Sequence, residues 1–214
     1  TKEWESYVTR QARWVDFKND YKTMDLSYME SVLWAFKRLY EKGLVYEGYR
    51  VVPYSWACET PLSNFEIRMD NATRPRQDPA VTVEFALSNG VNALVWTTTP
   101  WTLPGNVALA VGKNIDYVKV DHNGEKLILA EKRLDVLDGE VEVLEKLKVE
   151  DLINKRYTPL FPYLNSGEQR SLSDEKAFYI TETDFATDEE GTGIVHIAMM
   201  YGVDDFELGK KEMS

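Results

Sequence analysis

A single cysteine, Cys58, serves all 214 residues, so no disulfide can close within the chain and a cysteine-built zinc site has no ligand set. Histidine is almost as scarce. His122 and His196 stand far apart and neither falls in an HExxH or HxxxH pattern, so no metal centre is expected. No apolar run approaches the roughly 20 residues that span a bilayer, and Thr1-Lys2-Glu3-Trp4 has neither the basic nor the apolar region of a signal peptide. A cytoplasmic location is the expectation. Positive charge is also in deficit, with 25 Lys and Arg against 36 Asp and Glu and a formal net charge of −11. Such a chain does not hold nucleic acid by bulk electrostatics, and any RNA it touches needs other anchors. The chain is long enough for one large or two small domains. The missing initiator Met and an ending at Glu212-Met213-Ser214, inside a helix-like stretch, point to a piece of a longer protein.

Two regions of different character follow one another. Ser27-Tyr28-Met29-Glu30 has the Ser-x-x-Glu form of a capping box and is expected to open a helix running to about Gly43. Within it Val32, Leu33, Phe36, Leu39 and Tyr40 recur at helical spacing on one face, and Lys37, Arg38, Glu41 and Lys42 fill the other. Val45 to Tyr54 reads as extended and aromatic-rich, and Arg74-Pro75-Arg76-Gln77-Asp78-Pro79 as a linker or exposed loop. From about Ala80 short strands take over. Val81, Val83 and Phe85 alternate with polar residues, Asn89-Gly90 signals a hairpin turn, and Val91 to Trp96 returns as a second strand. Val107 to Val111, Tyr117 to Val120, the Asn123-Gly124 turn, Lys126 to Ala130, Phe178 to Thr181 and Gly193 to His196 continue the series. A mostly β domain with Gly-rich turns and few helices is expected.

Three stretches do not look like ordinary scaffold. In Trp96-Thr97-Thr98-Thr99-Pro100-Trp101-Thr102-Leu103-Pro104-Gly105-Asn106, threonines and tryptophans crowd a strand end where two prolines stop the ladder. Hydroxyls beside aromatic walls suit a small polar ligand, although threonines as strand formers and tryptophans as core would give the same composition. Gly191-Thr192-Gly193-Ile194-Val195-His196 sets a histidine at the end of an apolar strand, where a satisfied core residue is the plainer reading. Tyr201-Gly202-Val203-Asp204-Asp205-Phe206-Glu207 places two carboxylates at a helix start, where either could cap backbone N–H groups and Asp204-x-x-Glu207 has capping-box form.

Taken together, Trp-Thr-Thr-Thr-Pro-Trp-Thr-Leu-Pro-Gly-Asn, then Gly-Thr-Gly-Ile-Val-His, then Gly-Val-Asp-Asp-Phe closely resemble the editing domain (connective peptide 1) inserted in isoleucyl-tRNA synthetases. Arg13-Trp14-Val15-Asp16-Phe17, Tyr21-Lys22-Thr23-Met24-Asp25 and Pro61-Leu62-Ser63-Asn64-Phe65-Glu66 resemble the same family's chain entering that insertion. Leucyl and valyl relatives carry Arg after the paired threonines, where this chain has Thr99. Two features depart from the pattern: Ala198 is followed by Met199-Met200 where the family usually has proline, and Cys58 stands alone where many relatives have Cys-x-x-Cys.

The resemblance implies an α+β fold, mostly β, with a barrel-like editing domain and short helices over residues 76–214. Ahead of it, residues 1–75 would be a helical and extended flank from the class I catalytic core. The adenylation signatures of the class are absent, so this chain is not expected to charge tRNA; ATP and magnesium would serve only the full-length synthetase, and editing would need no cofactor and no metal. The implied partners are the rest of the synthetase chain and the 3′ end of tRNA(Ile) carrying valine. Isoleucyl-tRNA synthetase is itself the established example of a methylene difference, worth about 1–3 kcal/mol, being too small for one pocket to resolve, so that a second site hydrolyses the smaller product. In that site Asp205 would anchor the substrate's α-ammonium and Thr97, Thr98, Thr99 and Thr102 would hold the terminal ribose and carbonyl. Trp101 with His196 would bound the side-chain pocket, and Asn106 is a weaker binding candidate that serves its turn equally well. With no serine elbow and the only cysteine in the flank, a positioned water is the expected nucleophile.

Overall fold

The computed structural model describes residues 2–87, 90–161, 163 and 176–213, in two compact units, Thr1–Arg50 and Val51–Ser214. The first unit holds helix α1 (Lys2–Arg10) and helix α2 (Leu26–Glu41), neither with a buried residue. The helix foreseen from Ser27 begins earlier. Asp25, with extended backbone, stands at its N-terminus, so Ser27 already lies inside the first turn and the Ser27/Glu30 capping box does not form. The end agrees with expectation: the Gly43 N–H bonds to Tyr40 O and the Leu44 N–H to Leu39 O, the paired bonds of a Schellman motif around a residue with φ +68°. The apolar stripe Val32, Leu33, Phe36, Leu39, Tyr40 is exposed along its whole length.

In the second unit β1 (Tyr54–Ser55) pairs with β2 (Thr60–Pro61). A capping box does form here, at Ser63 and Glu66: the Ser63 N–H donates to Glu66 Oε2 at 2.7 Å and the Glu66 N–H to Ser63 Oγ at 3.2 Å. Residues 74–80 carry no regular element, as the proline-rich sequence implies. The strands β3 (Val81–Ala86), β4 (Val91–Thr97), β5 (Ala108–Gly112), β6 (Tyr117–His122) and β7 (Glu125–Ala130) fall where periodicity puts them. So do β9 (Tyr179–Thr183) and β10 (Ile194–Ile197). Not foreseen are β8 (Glu142–Leu147) and the short α3 (Val149–Leu152). Strand β8 is an edge strand with all but its last residue exposed, so burial imposes no alternation on it. Helix α4 (Val203–Met213) closes the chain. Asn89 of the first hairpin signal lies outside the described residues, but Ala86 pairs with Asn92 across it. Asn123 and Gly124, with φ 55° and 87°, make the second turn, both residues left-handed as the tightest hairpins require.

Five strands run in the order β3-β4-β7-β6-β8, with β4 and β7 parallel and the rest antiparallel; a three-stranded sheet runs β10-β5-β9. The architecture is the mixed, mainly β one expected. Among the described residues its strands are divided over sheets of two, three and five, with no closed barrel. Phe85, Val95, Leu109, Ile128, Ile180 and Ile194 share one core cluster. Side chains of this size contribute about 1.5–3 kcal/mol each when fully buried. Tyr117, fully buried, fastens the layers: its hydroxyl donates to Gly193 O at 2.6 Å and accepts from the Gly112 N–H at 2.9 Å. Burial pushes this phenol well above the usual tyrosine range, so it remains a neutral donor. At Gly193, φ is +80° and an added Cβ would collide with the Ala130 side chain. Only glycine fits the turn that feeds β10.

Candidate functional site

Strand β4 ends at Thr97, and Pro100 to Gly105 coil into a 3-10 helix, so the threonine run leaves the sheet as the prolines predict. The turn then enters β5, which pairs antiparallel with β10 so that Leu109 faces His196 and Ala108 faces Ile197. Pairing of β5 with β10 thus brings the threonine run and the histidine to one place.

The contact between them is direct. Thr102 Oγ1 lies 2.9 Å from His196 Nε2 and donates its hydrogen to Thr99 O at 2.7 Å. A hydroxyl has one hydrogen, so the imidazole must be the donor in the first contact, which makes His196 the Nε2–H tautomer with a bare lone pair on Nδ1. Nδ1 is indeed buried without a partner among the described residues. Thr99 Oγ1 sits 3.2 Å from Thr102 Oγ1 and 3.3 Å from Thr97 Oγ1, and the Thr99 N–H donates to Thr97 Oγ1 at 3.1 Å. Thr97, Thr99, Thr102 and His196 are therefore one hydrogen-bonded chain. Desolvation lowers the His196 pKa to about 4, so the ring is neutral near pH 7.

Asp205 lies in the first turn of α4 but does not cap that helix. Its Oδ2 accepts the Ala198 backbone N–H at 2.9 Å, two residues past His196, which ties the helix start to the end of β10. The carboxyl is half-buried, and desolvation, opposed by this one hydrogen bond and aided by neighbouring Asp204, raises its pKa above the usual range. A carboxylate so placed is short of a cation. Asp204 is exposed, and Glu207 pairs with Lys210 at 2.7 Å, so the Asp204/Glu207 capping box suggested by the sequence is not formed.

The other expected site residues are placed differently. Thr98 is exposed and its hydroxyl makes no hydrogen bond among the described residues. Trp101 is 62% exposed, so it is not a buried wall. Asn106 is buried with both amide atoms engaged: Nδ2 donates to Ala108 O at 2.9 Å and Oδ1 accepts the Tyr157 hydroxyl at 2.6 Å. It is the anchor of the turn, the alternative the sequence left open. Tyr157, buried and with its phenol pKa pushed upward, is the structural partner that spacing could not reveal. Among the described residues no three His, Cys, Asp or Glu side chains converge as a metal site would require.

The family model of class I tRNA synthetases (I, L, M and V) matches residues 1–189. The isoleucine–tRNA ligase of Mycobacterium leprae is 52% identical over 223 residues, covering 99% of this chain and 20% of that protein. That of Rickettsia peacockii is 52% identical over 219 residues, covering 95% of this chain and 19% of its own. The chain thus spans about a fifth of the length of the curated relatives it matches. Among solved structures, the crystal structure of GlLeuRS-CP1 superposes with a TM-score of 0.51 at 18% identity, over 62% of this chain and 60% of that one, a likeness of fold.

Proposed function

This chain belongs to the class I tRNA synthetases of the isoleucine, leucine, methionine and valine group, and on that footing we propose that it carries the proofreading site of an isoleucyl enzyme, hydrolysing valine from mischarged valyl-tRNA(Ile). Residues 76–214 form the editing domain in this reading, and 1–75 the flank that joins it to the catalytic core. The observation that carries it is the Thr102–His196 hydrogen bond, which joins a row of hydroxyls to a neutral imidazole beside a half-buried carboxylate. Asp205 receives the α-ammonium, a pairing that restores what burial costs the carboxylate. Thr98, with its free hydroxyl, and Thr97, Thr99 and Thr102 hold the ribose and ester carbonyl and orient the attacking water. His196, held by Thr102, bounds the side-chain pocket together with Trp101.

Orientation of a water against an ester is enough to supply a large part of the acceleration, since holding reactants in place is worth up to about 7–11 kcal/mol. Valyl-adenylate is a second candidate substrate. ATP and magnesium belong to the charging reaction of the whole synthetase, and a cytoplasmic setting agrees with the absence, among the described residues, of any helix long and apolar enough to cross a membrane. The test is to present the full-length enzyme with valyl-tRNA(Ile) and isoleucyl-tRNA(Ile). Rapid release of valine with isoleucine retained is the expected result. Equal hydrolysis of both, or of neither, overturns the assignment.

A further inference from the structure

Residues 184–193 carry no helix or strand, and they turn the chain into β10 through Gly191 and Gly193, left-handed at φ +66° and +80°. The strand they deliver is short. It has four residues, carries His196 as the third, and is an edge of its three-stranded sheet, bonded there, among the described residues, to β5 alone. An edge strand has one ladder to fix its register, and a slip of one residue would turn His196 to the opposite face. The turn ahead of it supplies a second constraint.

Three successive carbonyls of that turn are each met by a donor from the β6–β7 hairpin or the segment just after it. Gly191 O accepts from Arg133 Nε at 2.9 Å, Thr192 O from the Ala130 N–H at 2.9 Å, and Gly193 O from the Tyr117 hydroxyl at 2.6 Å. Arg133 reaches further, donating through Nη1 to Glu189 O at 3.3 Å, so one guanidinium spans the turn. Gly191 is also covered by Trp96, the residue before Thr97: an added Cβ would lie 2.6 Å from the indole Cε3. The turn therefore touches the strand that carries the threonines and leads directly into the strand that carries the histidine.

The three donors differ in kind. The Ala130 N–H is backbone and Tyr117 is fully buried in the core, whereas the Arg133 side chain is 22% exposed, on the 3-10 segment Glu131–Val136. Its Nη2 faces Asp135 Oδ2 only at 3.6 Å. In a chain with 36 acidic residues, a guanidinium whose two closest partners among the described residues are backbone carbonyls is placed for geometry and not for ion pairing.

We propose that Arg133 is a positioning residue for His196: by holding the carbonyls of Glu189 and Gly191 it fixes where β10 begins, and with it the imidazole that separates valine from isoleucine. The assignment rests on the editing reading above for the identity of the reaction. It adds a residue that touches no substrate and belongs to none of the three motifs. Without the guanidinium both carbonyls lose their donor, the entry to β10 loosens, and the wall at His196 yields to the larger side chain.

Arg133→Met keeps the aliphatic stem and removes the donors, and Arg133→Lys keeps the charge but can serve only one carbonyl well. In the full-length synthetase the ratio of valine to isoleucine release from tRNA(Ile) should fall by about tenfold in Arg133→Met and by less in Arg133→Lys, with kcat for valyl-tRNA(Ile) within about threefold. Lys132→Met is the control, since it breaks the 2.7 Å ion pair with Asp188 in the same turn and leaves the Glu189 and Gly191 carbonyls held. In a His196→Ala background Arg133→Met should lower the ratio no further, because the wall it positions is gone. Hydrogen exchange over residues 191–197 should quicken in Arg133→Met and not in Lys132→Met. An unchanged ratio in folded Arg133→Met, a full additional loss on top of His196→Ala, or equal effects of Arg133→Met and Lys132→Met overturns the proposal. So does a parallel fall of both esters with the melting temperature, the mark of a merely structural contact. Should Arg133→Met fail to fold, Arg133→Lys carries the same comparisons. Failure of the unaltered enzyme to release valine would instead count against the editing reading, and the exchange comparison would still decide whether Arg133 holds the entry to β10.

Discussion

Thr102 Oγ1 lies 2.9 Å from His196 Nε2 across 94 residues of sequence, and this bond fixes the imidazole in one tautomer and one direction. Thr102→Val preserves shape but leaves both ring nitrogens of His196 without a hydrogen-bond partner among the described residues. A stability loss of about 1–3 kcal/mol is expected from urea unfolding of this chain. Thr102→Ser should restore most of it. Equal stability of the valine and serine variants would show that the contact carries no weight.

A neutral, fixed imidazole is suited to be a wall. Truncation by His196→Ala in the full-length enzyme should enlarge the pocket and allow isoleucyl-tRNA(Ile) to be hydrolysed alongside the valyl ester. The measurement is release of isoleucine from correctly charged tRNA. A folded variant that still spares isoleucine would return His196 to the role of a core residue.

The sequence carried the strands between Val81 and Ala130 because half-buried strands must alternate, and it carried the turn at Asn123-Gly124 because few residues accept that backbone. It could not carry β8, whose exposure imposes no pattern, and it put a capping box at Ser27/Glu30 that does not form, since that helix starts upstream at Asp25, while the box that does form, at Ser63/Glu66, went unread. At the site, the threonines, His196 and Asp205 were singled out by the family resemblance, and the structure joins Thr97, Thr99, Thr102 and His196 by hydrogen bonds. Contacts between distant residues were beyond it. The bond of Tyr157 to Asn106 joins residues 51 apart in sequence, and Tyr157 has no local signature.

The buried imidazole also predicts a pH dependence. Its pKa falls from 6.5 to about 4 on folding, so as pH drops below about 6.5 the unfolded chain takes up a proton that the folded chain refuses. Stability from this group is therefore complete above about pH 6.5 and is lost progressively down to about pH 4. A shift of that size corresponds to roughly 3 kcal/mol. Chemical denaturation of this chain at several pH values should show the slope, and His196→Gln should flatten it. An unchanged slope in the glutamine variant would place the titration elsewhere.

Asp205 gives the sharpest separation of function from stability, because Asp205→Asn keeps an oxygen for the Ala198 N–H and removes only the charge. If the carboxylate receives the substrate's ammonium, its loss should cost about 2–4 kcal/mol of binding and orientation, or roughly thirty- to a thousandfold in valyl-tRNA(Ile) hydrolysis. Melting temperature should barely move. Asp204→Asn is the control, since its exposed neighbour shares the helix start but not the bond to Ala198. The pH profile offers a second readout. Burial raises the Asp205 pKa in the free protein, so as pH falls the charged form is lost sooner than for an ordinary aspartate. In kcat/KM for the unaltered enzyme, the acid limb should therefore lie above the usual carboxylate range, and Asp205→Asn should abolish it along with most of the activity. Near-normal hydrolysis by Asp205→Asn, or an equal loss in Asp204→Asn, would remove Asp205 from the binding of the amino group.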